Sequence, residues 1–173
     1  MPQKNSKILE RIYRLFSLRQ RSEKEIWDYF KIKNQRAKIT GKEPYSDFII
    51  ETTIQKLKEL RLLDDGQFAK AWVESRSKKK GLRVIKLELI QKGVSEEIIE
   101  EVISNKRQDT NEKETVARLL EKKINSWKNL EPLKLKKKAY EFLMRRGFEY
   151  EVVKEVIDTS IKLSVNPELK SKD

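Results

Sequence analysis

Carboxylates, lysines and tyrosines are the side chains left for chemistry in this 173-residue chain, which contains neither cysteine nor histidine. That absence removes disulfides, thiolate nucleophiles, the usual zinc ligands and the histidine general base together. The acid pair Asp64-Asp65 invites a catalytic or metal reading. No third carboxylate stands at ligand spacing, and a helical apolar pattern begins at once, so the pair is expected to cap that helix. No glycine-rich phosphate loop of the Walker type is present either. Catalysis, a cofactor and a bound metal are therefore not expected.

Basic residues offer the other kind of chemistry. The chain has 40 Lys plus Arg against 28 Asp plus Glu, a net charge of +12. A polyanion or an acidic protein surface is the natural partner for such a balance. One basic run, Arg76, Lys78, Lys79, Lys80, Arg83 and Lys86, contains no acid. A second comprises Lys134, Lys136, Lys137, Lys138, Arg145 and Arg146, diluted by Glu141, and a third lies between Lys4 and Arg21. A charge run by itself is usually a solvated face. Phe68 and Trp72, beside the first run, resemble base-stacking rings, but their one-turn spacing behind a cap favours core packing. Charge alone supports a general DNA-binding helical protein, whose affinity would fall steeply with salt.

These residues must be positioned by helices. Glycine and proline are few, and Leu, Ile, Glu and Lys are abundant. Apolar residues at helical spacing mark nine segments, opening with Ile8, Leu9, Ile12, Leu15 and Phe16 and closing with Val152, Val153, Val156, Ile157 and Ile161. Ser22 to Glu25 reads as a capping box, Ser46 and Ser95 as N-caps, Asp109 with Glu112 as a further cap, and Pro132 as a first-turn proline. Helix five, with Leu82, Val84, Ile85, Leu87, Leu89 and Ile90, is apolar over a wide arc and is expected near the centre. Asn105 to Thr110 reads as a polar break, and the tail from Val165 as frayed. No run of about 18 apolar residues or secretory h-region appears, so the expectation is cytoplasmic, without a membrane.

Three stretches align without a gap: Tyr45 to Ile54, Val94 to Ile103 and Phe148 to Ile157. The latter two follow Lys92-Gly93 and Arg146-Gly147, with each glycine suited to end a helix. Short apolar helices cannot bury their faces alone, so the repeat predicts an all-α chain of three tandem three-helix segments, stacked into an elongated, curved array. Their expected limits are 1–63, with a basic insertion at 31–44, then 64–108 and 109–173.

Leu63-Asp64-Asp65, Phe68-Ala69-Lys70-Ala71-Trp72, Ser75-Arg76 and Leu89-Ile90-Gln91-Lys92-Gly93-Val94 resemble the signature of the RecX family. Phe142-Leu143-Met144-Arg145-Arg146-Gly147-Phe148 resembles the same family's C-terminal motif. The resemblance covers roughly Ser6 to Ile161 and departs at Lys31 to Pro44, where a shorter connection ending in glycine is expected. It implies a non-enzymatic, monomeric regulator that lies along the RecA recombinase filament, with DNA as a further contact. It also implies restraint of RecA's ATP hydrolysis, strand exchange and coprotease activity. On this reading Arg76, Lys78, Lys79, Lys80, Arg83, Lys86, Lys137, Lys138, Arg145 and Arg146 face filament or DNA. Asp64, Asp65, Phe68, Trp72, Gly93 and Gly147 serve the fold.

Overall fold

A computed structural model of the chain describes residues 2–109, 111–127 and 129–165, and the surroundings of side chains 7–108, 111–127 and 129–160. The tail beyond Val165 and the side chains of Lys4, Asp109 and Ile161 lie outside the described residues. Among the described residues there are nine helices and no strand: α1 Pro2–Leu18, α2 Glu23–Ile39, α3 Asp47–Glu59, α4 Asp65–Ser77, α5 Leu82–Gln91, α6 Glu96–Asp109, α7 Glu112–Trp127, α8 Pro132–Met144 and α9 Tyr150–Val165. The all-α repeat class is the one the sequence predicts.

The repeat is visible in what each copy buries. Ile50, Thr53 and Ile54 in α3, Ile99, Val102 and Ile103 in α6, and Val153, Val156 and Ile157 in α9 are all buried, in register. Each helix is entered by the same backbone bond, Ile50 N to Ser46 O at 3.1 Å, Ile99 N to Ser95 O at 3.1 Å and Val153 N to Glu149 O at 3.0 Å. The staple residues Val94 and Phe148 are buried as well, while Tyr45 is half-buried and meets Phe30 edge-on at 5.5 Å between ring centroids.

The chain groups into two compact units, Met1–Trp72 with Glu88–Val102 and Val73–Leu87 with Ile103–Asp173. In the first, Ile8, Ile12, Ile26, Phe30, Ile50, Ile54, Leu57 and Leu63 form one apolar cluster from α1, α2, α3 and the turn after them. In the second, Val116 and Leu120 of α7 pack with Ala139, Phe142 and Leu143 of α8 and with Phe148, Val153, Val156 and Ile157. Helices α4, α5 and α6 each give residues to both units.

Several local expectations are corrected. The capping box is half made: Ser22 Oγ accepts from Glu25 N at 3.3 Å, but the Glu25 carboxylate turns away to Arg19 and Lys92. Helix α6 runs through Asn105 instead of breaking there, because Lys106 reaches Glu74 at 2.8 Å and an exposed helix face needs no apolar residue. Asn111 Oδ1, at 3.4 Å from Glu114 N, caps α7. The apolar arc of α5 is narrower than its composition: Ile85 and Leu89 are fully buried, but Leu87 and Ile90 are exposed. The insertion divides as its composition suggests, with extra turns of α2 to Ile39 and then a loop.

Candidate recognition surface

The two aspartates that open α4 do different work. Asp64 Oδ1 accepts from Gln67 N at 2.9 Å and caps α4, as predicted. Asp65 Oδ1 accepts from Glu23 N at 2.9 Å and so holds the first turn of α2. Burial pushes the Asp65 carboxyl up, and that backbone donor opposes the shift. No metal-binding group of carboxylates exists among the described residues.

Phe68 is buried, whereas Trp72 is only half-buried, which corrects its placement in the core. The two rings lie 5.5 Å apart, Trp72 Nε1 donates to Glu88 Oε2 at 2.9 Å, and Lys92 and Arg19 stand over the indole at 5.2 and 5.9 Å. Trp72 thus lines a charged network at its face and tip.

That network surrounds a joint between the α2 start and the turn after α5. Ser22 Oγ donates to Lys92 O at 2.7 Å, and a Cβ on Gly93, whose φ is +76°, would lie 2.7 Å from Lys24 Cβ. Glu25 accepts from Arg19 at 2.8 and 2.9 Å and pairs with Lys92. Burial raises the Glu25 carboxyl, but the Arg19 and Lys92 hydrogen bonds outweigh it and bring it down to about 2.

A second joint, inside the other compact unit, repeats the plan. The α5 start meets the turn after α8: Gly81 N donates to Arg146 O at 2.9 Å, and Arg83 Nη2 donates to Met144 O at 3.3 Å. A Cβ on Gly81 would lie 2.1 Å from the Gly147 carbonyl oxygen, and one on Gly147, with φ +81°, would lie 2.5 Å from Val84 Cγ2. Both positions therefore require glycine. The sequence marks Gly147 but misses Gly81, because only the facing backbone explains it.

This second joint brings the end of the first predicted basic run, at Arg83, against the backbone of Met144 to Arg146 at the end of the second. Lys78, Lys79 and Arg83 are exposed, as are Lys137, Lys138 and Arg145. Arg118 Nη2 donates to Lys78 O at 2.9 Å and fixes the turn between α4 and α5. Arg145 Nε donates to Glu141 O at 3.2 Å. Arg146 is half-buried, 3.8 Å from the Phe142 ring centroid, and burial followed by the Arg145 charge pulls its guanidinium below the usual range. Its placement is mainly structural. Among the described residues, Arg83, Arg145 and Arg146 make no ion pair.

The remaining predicted cations are more occupied. Lys138 stands 5.4 Å from the Trp127 ring, and Arg76, Lys80 and Lys86 are half-buried with partners of their own. Lys80 lines a cleft of about 500 Å³ with Arg107, Glu112, Glu149 and Phe148. Burial, then the charge of Glu149, pushes the Glu112 carboxyl up. Arg107, which the basic-run reading missed, lies 3.8 Å from Glu149.

Comparison with known proteins bears on this arrangement. Family models for the second and third three-helix domains of RecX match residues 64–103 and 111–157. The chain is 35% identical over 159 residues to the regulatory protein RecX of Chlorobium phaeobacteroides, covering 89% of this chain and 93% of that protein. The chain belongs to the RecX family. RecX from Clostridium botulinum strain Eklund 17B is 36% identical over 123 residues, 70% of this chain, which spans 58% of that relative's length. The crystal structure of RecX from Lactobacillus salivarius shares the fold at a TM-score of 0.66 and 24% identity, covering 94% of this chain and 99% of that one. RecX proteins are regulatory, not an enzyme family, and no described helix is long and apolar enough to cross a membrane.

Proposed function

We propose that this RecX-family chain binds the RecA recombinase filament and restrains its ATP hydrolysis, strand exchange and coprotease activity, in the cytoplasm and as a monomer. The observation that carries this reading is the cationic second joint. The ends of two basic runs far apart in sequence meet there, and among the described residues Arg83 and Arg145 meet carbonyl oxygens and no carboxylate. An acidic protein surface or filament-bound DNA would supply the missing negative charge. We further propose the division 1–63, 64–108 and 109–173, supported by the in-register burial of the three copies and by the two matched domains.

A regulator shifts an equilibrium only by its differential affinity for the states it touches. A chain spanning neighbouring filament subunits would hold the state it fits better. The test is RecA ATP turnover on single-stranded DNA with the purified chain added. Falling turnover at stoichiometric ratios is expected, and unchanged turnover would sink the proposal. Equal binding to bare DNA and to filament, collapsing with salt, would favour the general DNA-binding reading instead.

A further inference from the structure

We propose that a groove in the first compact unit is a docking site for an acidic, amphipathic segment of a partner protein. The groove has a volume of about 990 Å³ and lies between the far end of α2, the loop after it and the first turn of α3. It stands at the upper end of the range for built ligand sites. Ala37, Pro44, Tyr45, Phe48 and Ile49 give it an apolar lining, and Arg11, Lys33, Arg36 and Lys42 edge it with positive charge.

The sequence insertion makes this groove and holds it in shape. Helix α2 has 17 residues where α5 has 10 and α8 has 13, and the extra turns form one wall. The Asn34 side-chain amide grips the backbone of Tyr45 twice, accepting from its N–H at 2.8 Å and donating to its carbonyl at 2.9 Å. Gly41, with φ +65°, ends the helix, and Lys42 N closes the turn on Ala37 O at 2.9 Å.

Internal comparison exposes the anomaly. In the three aligned copies Phe48 stands where the others have Glu97 and Glu151. A carboxylate suits an exposed first-turn position, since it complements the helix N-terminus. Phe48 forgoes that interaction and is 74% exposed. The cations are equally unanswered: among the described residues Arg11, Arg36 and Lys42 make no ion pair, and Lys33 rests over the Tyr29 ring at 5.3 Å. Glu43 is the one acid among the described lining residues, and it already has a partner.

A concave apolar lining takes an aliphatic or aromatic side chain, and the rim then meets flanking carboxylates. Single-stranded nucleic acid fits less well. It stacks successive bases on successive exposed rings, whereas Tyr45 is turned edge-on to Phe30, leaving Phe48 as the one exposed ring among the described lining residues. This inference does not depend on the filament reading, which uses the other compact unit.

Fluorescence anisotropy with the full chain tests it, using a short synthetic peptide of Asp and Glu around one Phe and two Leu at helical spacing. Controls are the same peptide with Ser at the apolar positions, and oligothymidylate. The acidic apolar peptide is expected to bind, with the Ser version and the Phe48→Glu and Arg36→Glu chains each weaker by about tenfold or more. Thermal melts should show both variants folded, and Arg83→Glu with Arg145→Glu should leave peptide affinity unchanged. Absence of peptide binding, or equal binding by the variants, overturns the proposal. So does oligothymidylate binding that Phe48→Glu abolishes while the peptide does not bind.

Discussion

The two joints share a plan and differ in how their charge is answered. In each, the start of one helix rests on a basic residue and a left-handed glycine, Lys92-Gly93 in the first compact unit and Arg146-Gly147 in the second. In each, the basic side chain lies over an aromatic ring, Trp72 in one and Phe142 in the other. At the first joint Glu25 forms ion pairs with both Arg19 and Lys92. At the second, Arg83, Arg145 and Arg146 meet carbonyl oxygens and a ring face, and no carboxylate among the described residues. Similar joints therefore hold an ion-pair network in one place and, among the described residues, arginines without a carboxylate in the other.

The largest expected effect separates the joints by their backbones. Gly147→Ala meets Val84 backbone N at 2.7 Å as well as its side chain, whereas the three atoms nearest a Cβ on Gly93 all belong to the Lys24 side chain. Adding positive-φ strain to both, Gly147→Ala should cost roughly 3 kcal/mol or more and Gly93→Ala roughly 2. Urea denaturation gives the order. A larger loss at Gly93 would mean that backbone contact does not distinguish the second joint.

Glu25 comes next. Its folded-state value of about 2 lies below the ordinary 4.5, so its stabilisation is present above pH 4.5 and is lost as pH falls toward 2. Glu25→Gln should remove about 2 to 3 kcal/mol at neutral pH and flatten the acid limb of a stability–pH curve. An unchanged acid limb would show that the first joint is not held by its ion pairs.

Trp72→Ala should cost about 2 kcal/mol, less than the 3–5 typical of a buried aromatic, because the indole is only half-buried. A thermal melt against Phe68→Ala, which should lose more, checks this. Equal losses would return Trp72 to the core.

The sequence makes the repeat legible because staple, cap and apolar pair recur in one register, and burial follows that register in all three copies. It makes the caps partly legible. Asp64 behaves as its spacing predicts, while Asp65 and Glu25 are drawn to partners 42 and 67 residues away, which local pattern cannot anticipate. Gly81 is illegible for the same reason: its need for glycine comes from the Gly147 carbonyl. Basic runs identify where cations are, but only the fold separates Arg146, held against Phe142, from Arg145 and Arg83 on the exposed side.

The most direct test of the division between joints is filament binding by Arg83→Glu with Arg145→Glu, measured by co-sedimentation with RecA on single-stranded DNA and paired with circular dichroism. Unchanged helicity with binding weakened about tenfold or more is the predicted result. Full binding by that variant, with helicity intact, would contradict the assignment of recognition to the second joint.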